Sequence, residues 1–162
     1  MKEEEYNLIN AVMNGTMSSV KRYINKCDIN KVGTLALRQS LGWDDLEIAN
    51  FLIKKGAPAA STLYHCANDG YSFEIERLFS INKFSTTELA QACAIAIIKN
   101  HEKTVTQLFK HEPELRIYGN YFYKTAEKEN PEMMKFLMQN EYCKESGNKE
   151  VKIISKAFKM LH

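Results

Sequence analysis

Covalent or metal chemistry in this chain would have to start from its four cysteines and four histidines. His65 and Cys66 are adjacent and Cys93 lies further on, both thiols at core positions, which leaves His65, Asp69 and Lys99 as the loose set of ionisable residues open to an enzyme with a site in a groove. A nucleophilic thiol needs a neighbour that lowers its pKa, and a zinc site needs ligands at set spacing. Neither pattern is present. Cys27, Cys66, Cys93 and Cys143 lie far apart with no CxxC pair, and His101 and His111 fall on expected turns without a second ligand at metal spacing. There is no HExxH, no glycine-rich phosphate loop and no GxSxG. The expectation is therefore no catalytic residue, no metal and no cofactor. Cysteines scattered in this way point to a reducing, cytoplasmic compartment. The opening Met1-Lys2-Glu3-Glu4-Glu5 does not read as a secretion signal, and no apolar run reaches membrane-spanning length.

The elements that must position these residues are short and repeated. Residues 46–58, LEIANFLIKKGAP, carry Leu46, Ala49, Phe51, Leu52 and Ile53 on a broad apolar face at helical spacing. Asp44 and Asp45 precede it as cap candidates. Gly56 follows it, placed for a left-handed C′ residue, and Pro58 stops it. Similar stretches occur at 18–30, 72–84, 102–113 and 131–142. Tyr23, Leu52, Leu78, Leu108 and Leu137 are equivalent, at steps of 29, 26, 30 and 29 residues.

An upstream helix precedes each stretch, at 6–15, 35–44, 61–70, 91–100 and 121–130. Its third position is apolar (Leu8, Leu37, Leu63, Cys93, Tyr123) and its sixth is small (Ala11, Ser40, Cys66, Ala96, Ala126). Its tenth is Gly, Asp or Asn, types that tolerate a left-handed turn between paired helices. A helix of about ten residues is marginal alone in water, so each must pack on its neighbours.

In STLYHCANDG and DDLEIANFLIKKGAP the chain resembles the two halves of an ankyrin repeat. The likeness runs over about residues 6–142. No copy carries the full T-P-L-H signature: Arg38 and Tyr64 stand where its His would be. The spacing is shorter than the ankyrin period of about 33 residues, and the shortfall lies where the β-hairpin fingers belong. The resemblance implies an all-α, helix-pair solenoid forming one domain over 1–162. Its repeats would cover about 6–33, 34–60, 61–90, 91–120 and 121–148. An amphipathic helix at about 149–161 would cap the last one. A generic helix-pair solenoid is the competing architecture.

Ankyrin-like stacks bind folded proteins through a concave face, so the resemblance implies a non-catalytic interaction module. The repeat register puts Gln39, Trp43, His65, Asn68, Asp69, Ile98 and Lys99 on that face. Trp43, the only tryptophan, is either an interface anchor or packs on the neighbouring turn. Tyr118 and Tyr121 flank Gly119-Asn120, which reads as a turn, with Tyr123 core by register. Beside Arg116 and Lys124 these aromatics could stack on bases, yet such a cluster also serves as half-buried packing. With 22 basic and 20 acidic residues, the chain is not built mainly to neutralise phosphates. A protein partner is favoured over nucleic acid, with no membrane contact. Abundant Lys, Asn and Ile suggest an AT-rich viral or bacterial genome, where an inhibitor or host-factor antagonist would fit.

Overall fold

The structure, a computed structural model, describes residues 2–143, so the helix expected at 149–161 and the end of the fifth repeat lie outside it. Among the described residues the chain is all-helical and no residue is in a strand. The α-helices are α1 (Glu3–Met13), α2 (Met17–Ile24), α3 (Ile29–Gly42), α4 (Leu46–Lys54), α5 (Ala59–Asp69), α6 (Ser72–Ile81), α7 (Thr86–Ile98), α8 (Glu102–His111), α9 (Gly119–Glu129) and α10 (Pro131–Gln139). A 3-10 helix, Pro113–Tyr118, leads into α9.

Contacts divide the chain into two compact lobes. Among the described residues one comprises 2–66 with Phe73–Lys83, the other Ala67–Ser72 with 84–143. Within the first lobe, α1 packs on α2 and α3, and α3 on α4. Within the second, α7 packs on α8 and α9, and α9 on α10.

Two helices start earlier than their apolar stripes suggest. Asp28 accepts a hydrogen bond from the Asn30 N–H at 3.1 Å and opens α3 at Ile29, so residues 25–30 do not prolong α2. Ser85 and Glu88 form a reciprocal capping box that opens α7 at Thr86.

The corner after α1, α3 and α7 is one backbone motif used three times. Gly15, Asp44 and Asn100 adopt φ of 63, 60 and 61°, the left-handed region. Their N–H groups donate to the carbonyls of Val12, Leu41 and Ile97. The next N–H groups, of Thr16, Asp45 and His101, reach back to Ala11, Ser40 and Ala96. These two bonds satisfy carbonyls that a helix end would otherwise leave unpaired. The far acceptors are the residues at the small sixth position, and all three are buried. Gly70 turns the same way at φ 75°, and Gly56 is left-handed after α4, as expected.

The fifth corner differs. Asn130 is extended, with φ −157°, and its side chain caps α10 by accepting from the Glu132 and Met133 N–H groups. Pro131 follows it, and a residue before proline is held out of helical conformations.

Leu8, Leu37, Leu63 and Cys93 are buried at the third position, and Leu52, Leu78, Leu108 and Leu137 at the reference position of the second helices. At the two ends of the series the register is displaced by one residue. Ile24 is buried in place of half-exposed Tyr23, and Phe122 in place of half-exposed Tyr123. Gly119 begins α9 at φ −54° rather than forming a turn. It is small because a Cβ there would meet the Cys143 Cα at 3.2 Å and the Tyr142 oxygen at 3.3 Å.

Two stability predictions follow from these positions. Asn100→Gly should match or exceed the parent in thermal melting, whereas Asn100→Val should lose about 1–2 kcal/mol, because a β-branched residue resists positive φ. On α8, Thr104 is fully buried and its Oγ1 has no hydrogen-bond partner among the described residues. Thr104→Val, close in shape, should therefore raise stability in urea titration by about 1 kcal/mol, the desolvation cost it removes.

Candidate functional site

The corners decide which side chains reach solvent. The residue before each left-handed one caps its helix with nearly the same backbone angles: Asn14 (−86°, 1°), Trp43 (−89°, 4°) and Lys99 (−86°, 2°). The chain reverses there, so no following helical turn covers the side chain. Asn14, Trp43, Asp69 and Lys99 are all exposed, as are Met13, Asn68 and Ile98 one residue earlier.

In the first lobe this edge is apolar. Trp43 is 64% exposed, Met13 44% and Phe73 42%. Gln39 is half-buried one turn before Trp43, and its carbonyl accepts the Trp43 N–H. Asp44 forms an ion pair with Arg77, whose guanidinium lies 4.4 Å from the centre of the Phe73 ring. Phe73 and Arg77 sit one turn apart on α6, so this pairing fixes α6 beside the Trp43 corner. A Cβ on Gly42 would stand 3.4 Å from the Glu74 carboxylate, so Glu74 lies at the same corner. Phe73 falls in the apolar stretch 72–84, yet it is exposed. The i,i+4 spacing of Phe73 and Arg77 was the signal for a surface pair. His65 is exposed on α5.

In the second lobe His101 joins two corners. Its Nε2 lies 2.9 Å from the Asn68 carbonyl, and since a carbonyl only accepts, the neutral ring carries its proton on Nε2. The imidazole covers Gly70, where a Cβ would meet Nδ1 at 2.7 Å. His101 is thus half-buried and partnered rather than free on an open turn. It brings Asn68 and Asp69 beside the corner that carries Ile98 and Lys99. Ile98 is 42% exposed, and the Asn68 amide donates to Asp69 at 2.7 Å.

Tyr118 and Tyr121 are both half-buried, their rings 6.2 and 5.9 Å from that of buried Phe122. Phe109 stacks on Tyr142 at 4.1 Å and meets Phe122 edge-on, while Arg116 lies over Tyr142. These aromatics pack on one another.

The Cys27, Cys93 and Cys143 thiols all have raised pKa values. Burial pushes the Cys93 thiol far above its ordinary range and Cys143 up to about 11. Cys27 is raised first by burial, then by the nearby Glu5 and Glu4 charges. Among the described residues no three His, Cys, Asp or Glu side chains converge to hold a metal, and no helix is long and apolar enough to cross a membrane. Comparison with family models, curated proteins and solved structures finds no match to this chain.

The buried thiols set a pH dependence. Above the unfolded thiol pKa of about 8.5 the unfolded chain loses protons that the folded chain keeps, so stability falls as pH rises. For Cys143 the loss runs from there to its folded value of about 11. Urea titrations across this range should give a declining unfolding free energy, and Cys93→Ala should flatten the decline.

Proposed function

We propose that this chain is a non-catalytic protein-interaction module. Trp43 and its neighbours form the contact edge. The observation that carries the reading is a large aromatic, 64% exposed, on a corner that Asp44, Arg77 and Phe73 hold in place. Exposed tryptophans on rigid supports bring large contact area at little entropic cost. The all-α chain with recurring left-handed corners and small buried sixth positions supports an ankyrin-like, helix-pair solenoid. The four cysteines, none of them in a disulfide, support a reducing cytoplasmic setting, and the raised Cys93 and Cys143 pKa values favour binding over nucleophilic chemistry.

The partner in this reading is a folded protein, met first by Trp43, Gln39 and Phe73. His65, Asn68, Asp69, Ile98 and Lys99 are the further contact residues. Tyr118 and Tyr121 rank lower, because they already pack on Phe122.

The test uses a partner captured with the whole chain and identified by mass spectrometry. Trp43→Ala should leave the circular dichroism spectrum and melting intact. It should weaken binding in calorimetry by about 2 kcal/mol or more. Lys135→Ala, exposed on α10, should change neither. Unchanged affinity for Trp43→Ala would place the contact elsewhere, and unfolding of that variant would show Trp43 to be structural.

A further inference from the structure

A second surface of the first lobe has the opposite character. Met17, Lys21, Glu47, Asn50, Phe51 and Lys54 line an open groove between α2 and α4 with a volume of about 440 Å³. Its floor is Phe51, half-buried, with the Lys21 and Lys55 ammonium groups 5.8 and 5.7 Å from the ring centre. On α2, α4 and the cap residue that ends α4 the cations are Lys21, Arg22, Lys54 and Lys55, and the one carboxylate is Glu47. This excess stands out in a chain whose net charge is only +2. The Trp43 edge has the reverse balance, with Asp44 paired to Arg77 and Glu74 at the same corner.

From this chemistry we infer that the α2–α4 groove docks an acidic protein segment that seats an apolar side chain on Phe51 and Met17, a site distinct from the Trp43 edge. The lysine ammoniums match carboxylates in charge, and the apolar floor takes a side chain that a phosphodiester lacks. Glu47 and Asn50 discriminate further. The Asn50 amide nitrogen already donates to the Leu46 carbonyl at 2.9 Å, so Asn50 offers its oxygen. Two acceptors in a basic groove suit peptide N–H donors, and a phosphate backbone has none. Lysine, rather than arginine, lines the groove, so bidentate phosphate clamps are absent from its lining.

The probe is a short fluorescein-labelled peptide of glutamates around a central leucine, titrated by anisotropy against the whole chain. A single-stranded oligothymidine of the same length and phosphatidylserine vesicles are titrated in parallel. The peptide should bind more tightly than either and weaken as salt is raised. Lys21→Glu with Lys54→Glu should weaken it about tenfold or more, and Trp43→Ala should leave it unchanged. If the double charge reversal perturbs the circular dichroism spectrum, Lys21→Gln with Lys54→Gln replaces it and should still weaken binding. Absence of peptide binding, equal binding by the lysine variants, or equal or tighter binding of the oligonucleotide or the vesicles would each overturn the assignment. The Trp43 reading would stand in every one of those cases, since it concerns another surface.

Discussion

A single left-handed residue after four of the five first helices is the constraint on which the rest of this structure depends. The helices are short, and a short helix ends with several unpaired carbonyls and little stability of its own. At Gly15, Asp44 and Asn100 the backbone turns left-handed, and two reversed hydrogen bonds close the helix end. The chain then leaves in a fixed direction toward its paired helix. The same closure recurs after α4 at Gly56 and after α10 at Glu141. Three of the six left-handed residues are not glycine, so each of these three carries a strain of about 1 kcal/mol that packing must offset. Asp44 is pinned further by its ion pair with Arg77.

That closure links the core to the surface. Its far acceptors, Ala11, Ser40 and Ala96, are buried small residues. Ser40 satisfies its hydroxyl within its own helix, donating to the Leu37 carbonyl at 2.7 Å, so it is buried without an orphan polar group. The leucines on either side supply the stabilisation, each buried side chain contributing about 1.5–3 kcal/mol. The cap residue before the turn faces outward by the same geometry. Its type is free of the core's demands, and the chain places Asn14, Asp69 and Lys99 there. Trp43 is the exception among them. An indole left in water contributes nothing to the core, and this exposure is the ground of the proposed contact edge.

Much of this was legible in the sequence. The helix pairs, the small sixth position and five of the six left-handed residues, all but Glu141, follow from spacing and residue type alone. Asn130 was misread because its type permits a left-handed turn while the proline after it does not. The starts of α3 and α7 were visible in Asp28 and in the Ser85-Thr-Thr-Glu88 box, yet apolar periodicity outweighed them. Gly119-Asn120 looked like a turn because glycine was taken to mean positive φ, when here it permits close approach of Tyr142 and Cys143. Phe73 and Arg77 could not be joined to Trp43 from sequence, since Asp44 and Arg77 meet only once the corners pack.

The central claim is that Trp43 stands on a preformed, solvent-facing corner rather than in the core. Because it is the only tryptophan, its fluorescence reports on that corner without labels. Acrylamide quenching of the native chain should approach that of the urea-unfolded chain, with emission near that of indole in water, while circular dichroism remains helical and melting cooperative. A native tryptophan strongly shielded from acrylamide, with blue-shifted emission lost on unfolding, would contradict the account.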